Sequence, residues 1–366
     1  MRAHGPIVLV TGATGYVGGD VLRRMLDRDP TMRAYALVRG LERWPSVAAR
    51  IGAGNARVTP FRGDVARPGL GLDDADRLRL AGEVTAVVHL AADTTFSRPL
   101  AEARRTNVDG TRHLLDLAAG WRHVRRLAHV STAFVAGRRA GTVREEGGPS
   151  RAGWVNGYEQ SKHEAEALVR SSGADWVIFR PSTVVCDSTS GAVSQVNAVH
   201  QALRVYHRGL AAMMPGTESS PVDVVPLDYV SDAVARLALA EDLHAATLHL
   251  CAGHGALPLG DLLDATYAVW AADSGWRRRG IPRPALTDLP TYRLFERSIE
   301  ETGDERLRRV MRSLSHFVPQ LAAPKTFDTA VADRALGHRA PPVASYWPRM
   351  IASLAATWAP VGQAAA

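Results

Sequence analysis

Residues 6–10 read PIVLV, and the chain runs from them through Thr11-Gly12-Ala13-Thr14-Gly15-Tyr16-Val17-Gly18 into VGGDVLRRMLDRD, where apolar residues recur at helical spacing. A strand that turns through glycine straight into a helix permits few architectures. The three glycines divide the work: one allows a tight turn, one lets backbone N–H groups approach a pyrophosphate, and one lets helix and strand pack closely. The helix start turns unpaired N–H groups and a partial positive charge toward the same point. Strand before and amphipathic helix after are the context that a dinucleotide fingerprint demands. The segment therefore predicts a dinucleotide site using Thr11, Gly12, Thr14, Gly15, Tyr16, Val17 and Gly18.

Strand and helix patterns go on alternating. RAYALVR, ARVTPFRGDV, VTAVVHLAA, RLAHVSTAFV and WVIFRPSTVV read as strands. DDADRLRLAG, the long PLAEARRTNVDGTRHLLDLAAGW and the run after GYEQSK read as the helices between them. Alternation over about 185 residues predicts an α/β fold, a Rossmann-type doubly wound parallel sheet. From residue 186 the pattern changes. AVHQALRVYHRGL and DYVSDAVARLAL read as helices and ATLHLCAG as a further strand; beyond about 258 the chain is mostly helical, ending in an unstructured GQAAA. We expect residues 1–185 to form the cofactor-binding domain and 186–366 a smaller, mainly helical substrate lobe interwoven with the last strands of the sheet.

The 366 residues are 46% apolar with a net charge of +7, which argues against disorder and favours anionic partners. The arginines are scattered among acids, without a dense basic tract interleaved with aromatics, so phosphate-bearing cofactors and substrates suit the charge and nucleic acid does not. No run has the apolar length of a membrane span, and MRAHGPIVLV has neither an extended apolar core nor a cleavage site, so a cytoplasmic protein is expected. Oligomeric state has no signature. Cys186 and Cys251 make no disulfide framework and read as buried free thiols. His244, His249 and His254 have no metal-site spacing. His200 and His207 read as a partly solvated helix face, and His89 and His129 as hydrogen-bonded core. Trp347, in YWPRM, is a candidate lid over the site.

The second strand ends Leu37-Val38-Arg39-Gly40. An acid there would hold a ribose 2′-OH; Arg39, with Arg43 as helper, suits a 2′-phosphate and predicts NADPH. Asp64-Val65 is placed to meet the adenine, and Ala91-Ala92 is small enough to let the cofactor lie close. Further on, GYEQSK puts Tyr158 and Lys162 four residues apart on one helix face. Such a pair is either an aromatic beside a solvated cation or an acid–base pair, in which a nearby ammonium lowers a phenol pKa of about 10.

TGATGYVG, GDV, HLAA, TNVDGT, HVSTA, YEQSK and RPS occur in order over the first 190 or so residues, and together they resemble the extended short-chain dehydrogenase/reductases. VLRRMLDRDPTMRAYALVRG, HVSTAFVAGRRAGTVREE, VDVVPLDYVSDAV and TFDTAVADRALG followed by YWPRM resemble, more narrowly, the fatty acyl-CoA reductases and thioester-reductase domains. The resemblance implies that Tyr158 is the general acid, Lys162 its partner at the cofactor, and Thr132 the hydroxyl on the fifth strand, with Ser131 as alternative. It implies that Pro181-Ser182-Thr183 lines the nicotinamide and that Asn107 holds the segment after the fourth strand. The activity implied is NADPH-dependent reduction of an acyl thioester, on CoA or a carrier protein, to an aldehyde and on to an alcohol. A ketone or hydroxysteroid-type dehydrogenase, an NAD-retaining nucleotide-sugar epimerase or dehydratase, and a non-catalytic nucleotide sensor are the alternatives.

Overall fold

The computed structural model describes residues 5–146, 152–315 and 318–358. Seven strands carry it: β1 (Ile7–Thr11), β2 (Arg33–Val38), β3 (Val58–Arg62), β4 (Ala86–His89), β5 (Arg126–Val130), β6 (Trp176–Pro181) and β7 (Ala246–Leu250). All pair in parallel in the order β7-β6-β5-β4-β1-β2-β3, so the direction of winding reverses between β1 and β4. Every residue of β1, β4 and β6 is buried, as strands covered on both faces require. The two-residue period splits them between two cores. Val8, Val10, Val88 and Phe179 face one, with Val21 and Val234; Leu9, Val87 and Ile178 face the other, with Leu80, Leu114 and Val169.

Helices α1 (Tyr16–Arg28), α2 (Trp44–Ile51), α3 (Asp74–Glu83), α4 (Leu100–Arg104), α5 (Gly110–Ala118) and α6 (Gly157–Ser171) follow the strands. The long helix expected over 99–121 is in fact α4 and α5 joined by a π turn, Arg105–Asp109, in which Asn107 is buried. The strand expected to run through HVSTAFV stops at Val130. Thr132 leaves it to cap a one-turn helix, Ala133–Ala136, by accepting from the Phe134 N–H at 3.3 Å.

The rest of the chain contributes α7 (Ala198–His207), α8 (Leu227–Leu237), α9 (Leu259–Ala271), α10 (Ser274–Arg278), α11 (Leu289–Glu301), α12 (Glu305–Leu314), α13 (Ala330–Leu336) and α14 (Val343–Trp358). It also supplies β7 at the sheet edge, and the core that holds Val8, Val10 and Val88 runs on through both halves. Short two-stranded ladders register the lobe on the sheet domain, Thr183–Val184 against Val224–Val225 and Gly141–Val143 against Lys325–Phe327. No helix among the described residues is long and apolar enough to cross a membrane. Both cysteines are buried free thiols. The terminal GQAAA lies outside the described residues.

Two expectations for the lobe are overturned. Trp347 is no lid: it is fully buried, with its indole N–H on Thr266 Oγ1 at 2.9 Å, because α14 packs along α9. His200 is not on a solvated face. It is buried, and its Nδ1 accepts from the Asn197 N–H at 3.0 Å, completing a capping box at the start of α7.

A buried ion pair ties α6 to the sheet. Arg180 on β6 donates to both carboxylate oxygens of Glu166, at 2.9 and 2.6 Å. Glu166→Ala leaves a buried guanidinium without its counter-charge and should cost about 3–5 kcal/mol of stability, read as a lowered urea midpoint at unchanged slope.

Candidate functional site

The turn after β1 can be made only by glycine at two places. Gly12 has φ +78°, and a Cβ there would lie 2.7 Å from the Ala91 nitrogen. A Cβ on Gly18 would lie 2.2 Å from the Gly12 carbonyl oxygen, so this glycine serves the packing of α1 on the turn. Gly15 caps α1 without any side-chain acceptor for the first-turn N–H groups. The space so kept open is a cleft of about 410 Å³ at the winding reversal, where α/β sheets bind ligands.

Thr11, Gly12, Thr14, Gly15, Arg39, Asp64, Val65, Ala91 and Ala92 all line this cleft, and together they fit a dinucleotide. Tyr16, Val17 and Gly18 do not line it; they form the first turn of α1, and the Tyr16 phenol lies near Cys186 and Asp187. Arg43 does not line it either: it ends an exposed one-turn helix, Leu41–Arg43, beyond Arg39. The wall that sequence reasoning missed comes from the loop after β4 and from the π turn. Asp93, Thr94, Thr95, Arg98 and Thr106 all line the cleft, with Arg98 held to Asp93 at 2.6 Å. That loop carries no glycine or charge pattern by which it could have been found.

Beneath the cleft runs a buried chain of hydrogen bonds. The Ala91 N–H donates to Thr11 Oγ1 at 3.2 Å, and Thr11 Oγ1 lies 2.7 Å from His89 Nδ1. His89 Nε2 lies 3.0 Å from Thr111 Oγ1, which donates to the Asn107 carbonyl at 2.7 Å. Since Thr111 gives its hydrogen to that carbonyl, it accepts from His89 Nε2–H, and His89 Nδ1 accepts from Thr11. Burial, with Lys162 adding to it, takes His89 down to about 3, so the ring is neutral. The Asn107 side chain grips the Asp93 peptide on both sides, at 2.8 and 3.0 Å, and donates to Ser161 Oγ at 2.8 Å. Ser161 in turn donates to the Tyr158 carbonyl at 2.9 Å. Asn107 thus holds the segment after β4, as expected, and binds it to α6 as well.

Tyr158 and Lys162 lie on the buried face of α6, at the carboxyl end of β5. The phenol packs against Phe96, ring centroids 5.4 Å apart. Burial pushes its pKa up to about 12; a hydrogen bond with the Thr132 hydroxyl pulls it down and the neighbouring Glu159 adds to the rise. Lys162 does not engage the phenol. Its Nζ donates to the Val130 carbonyl at 2.9 Å and lies 3.2 Å from His129 Nε2. The expected lowering of the phenol pKa by Lys162 is therefore not seen, because the ammonium is turned to the end of β5. Burial brings Lys162 down to about 8, against an opposing pull from Glu166. Of the two candidate hydroxyls, Thr132 is the one that acts on the Tyr158 phenol, whereas Ser131 Oγ is buried without a hydrogen-bond partner among the described residues. Pro181, Ser182 and Thr183 leave β6 beside Thr132, whose hydroxyl is 3.5 Å from the Pro181 carbonyl. They do not line the glycine cleft; Thr183 faces a separate small cavity with Phe134.

The family model described as Male sterility protein, an NAD-binding family, matches residues 10–234. Over 270 residues the chain is 31% identical to a linear gramicidin synthase polypeptide of Brevibacillus parabrevis, a match covering 66% of this chain and 5% of that one. Over 350 residues it is 27% identical to the L-2-aminoadipate reductase large subunit of Penicillium chrysogenum, 87% of this chain and 24% of that one. The chain thus corresponds to a small part of the length of these relatives. The terminal R domain from the myxalamid PKS-NRPS biosynthetic pathway has the same fold, with a TM-score of 0.80 at 27% identity, covering 98% of this chain and 92% of that one. With the match extending from the glycine turn across α6 to α8, the chain belongs to the male-sterility family of NAD-binding proteins, within the extended short-chain dehydrogenase/reductases.

Proposed function

We propose that the chain reduces acyl thioesters, carried on CoA or a carrier protein, with NADPH as reductant, and that the aldehyde formed can be reduced again to an alcohol. The observation that carries this reading is the pairing of Thr132 with Tyr158 at the carboxyl end of β5, where the Thr132 hydroxyl acts on the buried phenol; the lobe holds an apolar cavity of its own. That cavity, of about 60 Å³, is walled by Leu203, Met213, Leu263, Tyr292 and Met311. It shares Val199, Val222 and Leu321 with the small cavity that reaches Phe134 and Thr183. The acyl group would lie in these cavities, the smaller of which reaches Phe134 in the one-turn helix that Thr132 caps. The likeness to a reductase domain of a peptide synthetase pathway supports the same substrate class.

Gly12, Thr14 and Gly15 would hold the pyrophosphate, Asp64 and Val65 the adenine, Arg39 the 2′-phosphate, and Pro181 to Thr183 with Lys162 the nicotinamide riboside. The bound cofactor supplies a hydride to the thioester carbonyl carbon. Thr132 and Tyr158 hydrogen-bond the carbonyl oxygen as negative charge develops on it. A phenol raised to about 12 is protonated at neutral pH and is a donor, the role that reduction requires. Departure of the thiol from the resulting tetrahedral carbon leaves the aldehyde. Lys162, one turn along α6, holds a positive charge beside the site up to about pH 8.

Three outcomes test this. With a panel of acyl-CoA thioesters, Tyr158→Phe should lower the rate of NADPH oxidation about 10²–10⁴-fold at unchanged dinucleotide affinity; turnover of ketones alone would move the protein to carbonyl reduction. The wild-type rate should fall above about pH 8, where Lys162 loses its proton, and Lys162→Arg should lack that limb because guanidinium stays charged. Arg39→Ala should weaken NADPH binding about tenfold and leave NADH binding unchanged, read by nucleotide fluorescence titration.

A further inference from the structure

Three buried polar side chains near Thr132 and Tyr158 belong neither to the glycine cleft nor to the proton-donating pair: Glu159, Gln320 and Lys325. Lys325 lies in the short strand Lys325–Phe327, which pairs with Gly141–Val143. Its Nζ donates to the Gly137 carbonyl at 2.7 Å and to Gln320 Oε1 at 2.9 Å. The Gln320 amide donates to Glu159 Oε1, while Glu159 Oε2 accepts from the Val155 N–H at 2.9 Å. Each end of this relay attaches to the turn that carries one of the two hydroxyls. Gly137 closes the one-turn helix that Thr132 caps, and its own N–H donates to the Phe134 carbonyl at 2.9 Å. Glu159 follows Tyr158 in the first turn of α6, which Asn156 caps through the Glu159 N–H at 3.0 Å.

We propose that Gln320 and Lys325 are positioning residues, a strap from the substrate lobe that fixes the Thr132 turn relative to the Tyr158 turn; this rests on the reading of Thr132 and Tyr158 given above. Thr132 leaves β5 by a turn and Tyr158 enters by a separate helix; among the described residues the Arg138 N–H on the Gly153 carbonyl at 2.9 Å and the Trp154 indole N–H on the Val135 carbonyl at 3.3 Å join the two directly, and the relay adds a tie from the lobe. The relay is suited to the task because it is satisfied at both ends and closed to water, conditions under which a polar network is rigid. Its charges balance, Lys325 against Glu159, with Arg138 a further cation acting on Glu159. Gln320 and Lys325 also wall the small cavity that reaches Phe134 and Thr183, so an acyl group arriving from the lobe borders the strap. Binding in the lobe and alignment of the two hydroxyls are thereby joined.

The test uses the full chain with Lys325→Met, Gln320→Leu and the conservative Lys325→Arg, read by steady-state kinetics, nucleotide affinity and amide hydrogen exchange. Displacing aligned groups by about 1 Å costs on the order of 100-fold in rate, so kcat should fall about 10- to 100-fold in the Met and Leu variants. Dinucleotide affinity should stay within about twofold, and Lys325→Arg, which keeps a charged donor, should recover most of the loss in kcat. Hydrogen exchange should accelerate together at residues 133–137 and 157–160, although both lie far in sequence from the substitution. Unchanged exchange in both turns overturns the strap. Faster exchange with kcat within twofold of wild type reduces it to a structural tie and overturns the positioning role. If the wild type turns over no thioester, the substrate reading fails, while the exchange data still decide whether the strap couples the two turns.

Discussion

A neutral imidazole between β1 and β4 holds the working end of this molecule together. His89 receives a hydrogen bond from Thr11, at the mouth of the glycine turn, and gives one to Thr111 behind the π turn. From there the chain passes through Asn107 and Ser161 to the backbone of Tyr158. Winding reverses at this place, so no crossover helix covers the gap between the strands, and a cleft is left. The hydrogen-bonded chain forms its floor. Because every member is paired in a dry interior, displacing one leaves a buried polar group unsatisfied, at a cost of about 1–3 kcal/mol. The glycine turn and the first turn of α6 are therefore tied to one another, although residues 11 and 158 lie far apart in sequence.

The carboxyl ends of β5 and β6 gather buried charge. Lys162 lies at Val130 and His129, Glu166 at Arg180, and Glu159 within reach of Lys325 through Gln320. A low dielectric makes each unpaired ion expensive, and the arrangement answers with a partner or a carbonyl for every one. The same burial sets the proton chemistry. It raises the phenol of Tyr158 and lowers the ammonium of Lys162, bringing the amine closer to neutral pH than the phenol. The Lys162 ammonium stays with the end of β5, and the phenol stays protonated at neutral pH.

The lobe completes the site from its other side. Its helices enclose an apolar cavity with α7 and α9 on the wall, and the buried Trp347 stiffens that wall from α14. Two short ladders, at 183–184 and 325–327, keep the lobe in register with the segments that carry Pro181 and Gly137. Through Lys325 and Gln320 the second ladder reaches both the turn that Thr132 caps and the first turn of α6.

Much of this was legible in the chain. Buried parallel strands are continuous apolar runs, and a glycine turn needs φ and close approach that other residues lack, so both leave marks at fixed local spacing. Those marks located the alternating sheet, the glycine cleft with Arg39, Asp64 and Ala91 on its walls, and the face shared by Tyr158 and Lys162. Where the reading failed, the deciding contact was made between distant segments or in a turn that leaves no periodic mark. Trp347 became core because α14 found α9, and His200 became a cap because Asn197 precedes its helix. The direction taken by Lys162 was set by the end of β5, and the loop at 93–98 became a wall only because Asn107 folded it over the cleft. Sequence by itself determined the elements, the glycine turn and the helix face shared by Tyr158 and Lys162, since these follow from local spacing and backbone sterics. Only the tertiary structure decided which hydroxyl acts on Tyr158, where the Lys162 ammonium points and that Gln320 and Lys325 link Glu159 to Gly137, because side-chain hydrogen bonds and burial act across a distance in sequence that no local pattern records.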